Sequence, residues 1–126
     1  MTQDPAANQD GPAAEDAGQD VLQVVTACAG REEALRLARG AVEARLAACA
    51  QVTGAITSVY RWQGAIEEAD EVLCIFKTRR EVYPALETYL RAQHSYQTPE
   101  ILAFSIALGS GAYLQWLREA LAEQEG

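Results

Sequence analysis

Between residues 94 and 100 the chain gathers its only histidine, a tyrosine, a proline and a carboxylate into one short link, His94-Ser95-Tyr96-Gln97-Thr98-Pro99-Glu100. An imidazole and a carboxylate are groups that move protons, hold metals or fix a turn through hydrogen bonds. The link follows a helical pattern that ends near Ala92 and precedes a strand-like run, Ile101 to Ala107. A loop at such a boundary is a common place for binding groups. Pro99 presets its own backbone and restricts the residue before it, so Tyr96 and Pro99 read first as determinants of loop shape.

Nothing else in the chain completes a catalytic set. No G-x-S-x-G, Walker A or dinucleotide fingerprint is present, and Cys28 paired with His94 as its base has no third group to orient it. The expectation is a binding protein and not an enzyme. Cys28, Cys49 and Cys74 are an odd count with no C-x-x-C spacing, which points to reduced thiols, two of them in apolar surroundings. The net charge of −8 and the scattered bases argue against a nucleic-acid partner and in favour of cations, small ligands or other proteins. No apolar run approaches the roughly 18 to 20 residues of a membrane span, and no positive segment followed by an apolar one opens the chain. A cytoplasmic protein without a membrane partner is therefore expected.

The elements that must position the loop follow from the pattern of apolar residues. Residues 1–19 hold Asp4, Asp10, Glu15 and Asp16 and no base, a composition that reads as a disordered acidic tail ahead of one domain over residues 20–126. Val21 to Ala27 reads as a buried strand. Residues 31–47 read as an amphipathic helix with Leu35, Ala38, Val42 and Leu46 on its apolar face, and Gly40 inside it marks close packing. Gln51 to Trp62 and Ala65 to Thr78 read as two strands joined at Gln63-Gly64 into a long hairpin. In it Val72 to Phe76 suits a strand covered on both sides, and Glu67, Glu68, Asp70 and Glu71 suit an exposed arm. A second helix begins near Arg79 with Pro84 in its first turn. The strand Glu100 to Leu108 and a last helix capped by Ser110 complete the order.

The order βαββαβ plus a C-terminal helix is an α+β, ferredoxin-like arrangement. Right-handed crossovers place the first strand beside the third and both main helices on one face of the sheet. The other face would leave apolar residues bare, so self-association is expected to cover it.

Several stretches in this order also resemble the CutA divalent-cation-tolerance family: Leu46-Ala47-Ala48-Cys49-Ala50, Tyr60-Arg61-Trp62-Gln63-Gly64, Lys77-Thr78, the 94–100 loop, and Tyr113-Leu114-Gln115-Trp116. The resemblance covers about residues 20–122. It implies a ferredoxin-like fold similar to that of the PII signalling proteins, a homotrimer, and binding of copper or other divalent cations with a role in metal tolerance. In the family the proposed copper ligands are a cysteine near the end of the first strand and two adjacent histidines at the loop. Here Thr26 stands at the cysteine position with Cys28 two residues on, and Gln93-His94 stands for the histidine pair. His94, Glu100 and Cys28 are thus the metal-ligand candidates. Each has a second reading: His94 as a turn-shaping hydrogen-bond partner, Glu100 as a partner for an arginine across a subunit contact, Cys28 as a plain thiol. Two other functions remain open by analogy with PII, a regulatory trimer with a small ligand near Tyr96 and Glu100, and a scaffold trimer.

Overall fold

A computed structural model describes Glu15–Asp16 and residues 20–122. The remaining residues of the acidic segment and residues 123–126 lie outside that description. Among the described residues nine elements follow one another: β1 Glu15–Asp16, β2 Val21–Cys28, α1 Arg31–Glu43, β3 Cys49–Trp62, β4 Ala65–Arg79, α2 Tyr83–Gln93, β5 Ile101–Ser105, β6 Leu108–Gly109 and α3 Gly111–Ala122. A four-stranded antiparallel sheet has the order β3-β4-β2-β5, and β1 pairs with β6 apart from it. The first long strand lies beside the third, as the crossover rule requires.

Alternation along β2 explains why it sits inside the sheet. Leu22, Val24, Thr26 and Cys28 face one side and meet Thr78, Phe76, Cys74 and Val72 across β4. That side is roofed by α1 and α2, whose Ala34, Leu37, Ala38, Ala41, Leu86 and Leu90 complete a single core with it. Val21 faces the other side, where Leu114, Leu117 and Leu121 of α3 cover it. Beyond the reach of α3 the second face stays open. Phe104 pairs with Gln23 and Leu102 with Val25 on this face, and the two side chains are 52% and 51% exposed.

Strand β3 opens at Cys49, two residues before the sequence reading, and three boundaries differ by more than that. Helix α1 ends at Glu43, not 47, in a Schellman closure: Arg45 N–H donates to the Val42 carbonyl at 3.1 Å and Leu46 N–H to that of Ala41 at 2.8 Å. This puts Arg45 at φ 59°, a conformation glycine would hold with less strain. The buried face of α1 is built from Ala34, Ala38 and Ala41 with Leu37, so the helix sits close to the sheet, with Leu35 half-buried on its flank and Val42 39% exposed. Strand β4 runs on to Arg79, so α2 starts at Tyr83 with Pro84 in its first turn. The last predicted strand splits, because Ile106 N–H turns to the Val21 carbonyl and Leu108–Gly109 pair with β1. The hairpin turn is as expected. Gln63 and Gly64 both have positive φ, 49° and 83°, the two-residue geometry that matches strand twist.

Candidate functional site

The 94–100 loop leaves the end of α2 and crosses the end of β2. His94 caps α2, its N–H bonded to the Leu90 carbonyl at 2.9 Å, and its side chain is fully buried. The ring is used on both edges. Nε2 lies 3.0 Å from the Ala27 carbonyl, and Tyr96 N–H reaches Nδ1 at 3.1 Å. A carbonyl can only accept and an amide N–H can only donate, so the imidazole here is neutral, protonated at Nε2 with Nδ1 as acceptor. The Tyr96 ring lies over it at 5.0 Å between centroids.

A second layer of contacts ties the loop to α1 and β4. The Glu33 carboxylate accepts from Ser95 N–H at 2.7 Å, Ser95 Oγ at 3.0 Å and Ala29 N–H at 3.3 Å, and its Oε2 lies 3.7 Å from His94 Nδ1. Burial pushes the Glu33 carboxyl up, but the donated hydrogen bonds outweigh it and hold the group below its ordinary value. Tyr96 Oη donates to Glu71 at 2.8 Å; burial first, and then this bond, raise the phenol to about 12. Arg36 donates to the Gln93 carbonyl and side chain, 3.1 and 3.3 Å away, fixing the end of α2.

The structure brings the sequence-predicted residues to one end of β2 but not into one coordination sphere. Cys28 is fully buried on the core side, and burial, with the carboxylates of Glu33 and Glu71, pushes its thiol up to about 11. Glu100 is held through its backbone, whose carbonyl accepts from Thr26 Oγ1 at 2.6 Å, while the residue itself is exposed. Thr26, fully buried, therefore serves here as a clamp between β2 and the loop. Among the described residues no group of three His, Cys, Asp or Glu side chains is placed to hold a metal. Sequence reasoning missed Glu33 and Glu71. Glu33 lies in the first turn of α1, where an acid suits the helix dipole, and that commonplace reading hid its role as the loop's main acceptor.

This is an α+β protein whose four-stranded sheet carries a hydrogen-bonded loop at one end and an open apolar face. The chain belongs to the CutA1 divalent ion tolerance family, whose sequence pattern matches residues 22–120. The divalent-cation tolerance protein CutA of Thermus thermophilus is 44% identical over 98 residues, 77% of this chain and 95% of its own length. Human protein CutA is 42% identical over 92 residues, 73% of this chain; the match spans about half, 51%, of that relative. The structure of CutA from Synechococcus elongatus superposes with a TM-score of 0.84 at 39% identity, covering 91% of this chain and 99% of that one. Relatives include a chloroplastic protein of Arabidopsis thaliana and one from Archaeoglobus fulgidus described as periplasmic. Among the described residues no helix is long and apolar enough to cross a membrane.

Proposed function

We propose that the chain acts as a cytoplasmic homotrimer of ferredoxin-like, PII-like subunits that binds divalent cations, copper first, and serves metal tolerance without catalysing a reaction. The observation that carries this reading is the gathering of Cys28, His94 and Glu100 at one end of β2, in a chain whose family is defined by divalent-ion tolerance. The half-exposed Leu102 and Phe104 supply the reason to assemble, and three free cysteines suit a reducing compartment.

The three donors are unequal. Glu100 is exposed and free to turn toward a cation. His94 offers Nδ1 only if Tyr96 N–H gives it up, so binding there must move the loop. Burial pushes the Cys28 thiol up to about 11, well above neutral pH, which makes it the costliest donor. The described residues of one subunit fall short of a closed site, so further donors come from a neighbouring subunit or from water. The test is calorimetric titration of Cu(II), with Zn(II) alongside, into wild type, His94→Ala and Glu100→Gln, after light scattering has fixed the mass. One site per subunit at micromolar affinity or tighter, weakened in both variants, is expected. Equal binding by all three proteins would remove the loop as the site.

A second reading, a regulatory trimer with a small organic ligand, draws on the Synechococcus elongatus CutA structure complexed with a Bis-Tris molecule. On that reading His94→Ala leaves ligand binding largely intact.

A further inference from the structure

The β3–β4 hairpin is jointed where it leaves the sheet. Strand β2 stops where Cys28 meets Val72, and from Glu71 opposite Ile56 to Ala65 opposite Trp62 the two hairpin strands pair with each other alone among the described residues. At that root the register shifts between Val52 and Ala55. Such a bulge interrupts the ladder and lets a strand bend. The Thr53 hydroxyl spans it, accepting from Leu73 N–H at 3.0 Å and donating to the Gly54 carbonyl at 2.8 Å. Among the described residues one side-chain hydrogen bond ties the hairpin beyond this joint to the rest of the chain, from Tyr96 Oη to Glu71 at 2.8 Å.

Tyr96 also closes off His94. Its N–H donates to Nδ1 at 3.1 Å, and its ring lies over the imidazole. The loop is fixed on both sides of it. His94 is buried with Nε2 on the Ala27 carbonyl, Ser95 gives its N–H and its hydroxyl to Glu33, and the Glu100 carbonyl accepts from Thr26. Gln97 and Thr98, between these anchors, are exposed. A cation bonded to an imidazole nitrogen lies about 2.0 to 2.1 Å from it. That is inside the 3.1 Å now spanned by the Tyr96 N–H, so Tyr96 has to move. With the neighbours pinned, the displacement falls on residues 96–98. A hydrogen bond of 2.8 Å does not survive a shift of its donor by about 1 Å.

We propose that Tyr96 is a strut between the loop and the hairpin: a divalent cation that takes His94 Nδ1 releases the Tyr96 hydroxyl from Glu71 and loosens the root of the β3–β4 hairpin. The inference rests on the cation site proposed above and names how that site is regulated. Tyr96 donates nothing to the cation, so it is a positioning residue. Coupling of this kind is reciprocal. If loading the loop breaks the bond to Glu71, that bond holds the loop closed against the cation, and removing it must tighten binding. A hydrogen bond to a charged group sets the scale at about tenfold. Loss of a merely structural contact would weaken binding or leave it unchanged.

Two measurements test the strut. Calorimetric titration of Cu(II), with Zn(II) alongside, compares wild type with Tyr96→Phe, His94→Ala and the double variant, and amide hydrogen exchange of wild type with and without the cation reads the hairpin with no substitution at all. Tyr96→Phe keeps the ring over His94 and deletes only the hydroxyl. It should bind about tenfold tighter than wild type, and the gain should vanish when His94→Ala is added. Amides of residues 66–73 should exchange several-fold faster in loaded wild type, and in Tyr96→Phe they should be fast before any cation is added. Affinity in Tyr96→Phe equal to or below that of wild type, or hairpin exchange that loading leaves unchanged, overturns the strut alone. A wild type that binds no cation, or binds it equally after His94→Ala, overturns the cation site at this loop and the strut with it.

Discussion

His94 announces itself in the sequence as the one imidazole, but its job depends on a carbonyl 67 residues away. Only the folded chain shows that Ala27 and Tyr96 take up both ring nitrogens. The same holds for Glu33, which becomes an anchor only once α1 and the loop meet. With its carboxyl held below the ordinary 4.5, Glu33 contributes stability that is present above that value and lost as pH falls through the lower, folded-state value. Wild type should therefore lose stability on acidification below about pH 4.5 more steeply than Glu33→Gln, read as melting temperature against pH; parallel curves would remove the anchor. Thiol reactivity makes a second residue-level prediction. Burial raises Cys28 to about 11 and Cys74 to about 12, and both side chains are sealed from solvent, whereas Cys49 is half-buried beside Tyr113 Oη at 3.4 Å. An aromatic disulfide reagent at pH 8 should react with at most one thiol in the folded protein and with three after denaturation. Rapid reaction of two or more in the native state would contradict this packing.

At the scale of elements the sequence was most readable where two periodicities alternate, and least where a neighbour decides. The strand–helix order, the Gln63-Gly64 turn and the place of Pro84 all follow from local pattern. The apolar stripe of α1 did so only in part: Ala38 is buried as read, whereas Leu35 and Val42 look like core residues by spacing, yet Ala34, Ala41 and Leu37 took the other sheet-facing positions, the alanines letting the helix come closer. Gly40 belongs to the same close packing, and the expectation of it from sequence has a partner in the structure. A Cβ there would collide with Tyr89 Oη, the hydroxyl that donates to the Leu37 carbonyl at 3.0 Å. Alanine gains about 1 kcal/mol in helix propensity. Overpacking costs about 1 to 3 kcal/mol, so Gly40→Ala should leave the protein level or up to about 2 kcal/mol less stable. Removing the colliding hydroxyl with Tyr89→Phe in the same chain should return part of any loss. Denaturant melts of both single variants and the double variant measure the coupling, and strict additivity would mean that the tyrosine is not what limits this position.

The whole molecule is where sequence and single-chain structure meet the same obstacle, an uncovered half of a sheet. Helix α3 closes the end around Val21, and the roof of α1 and α2 lies on the opposite face. Val25, Ile75, Leu102 and Phe104 are left on the open face, the first two half-buried and the last two half-exposed. Position 104 sits on the edge strand opposite Gln23, and position 102 opposite Val25, so a charge at either would face whatever covers the sheet without crowding the core behind it. If a second copy covers this face, Leu102→Glu and Phe104→Glu must each desolvate an unpaired carboxylate on assembly. The expected result is a shift toward monomer at micromolar concentration, seen by sedimentation, with little change in the circular dichroism of the separated subunit. The loop at the end of β2 would be untouched in that monomer, since its anchors Glu33, Thr26 and Glu71 all belong to the same chain. Metal titration of the two variants then separates two origins for the missing donors. Binding that disappears with assembly, while His94 and Glu100 are still in place, would put some donors on the neighbouring subunit; binding that persists in the monomer would put them on this chain and its bound water. Variants that keep wild-type mass would mean that the open face is not the assembly surface.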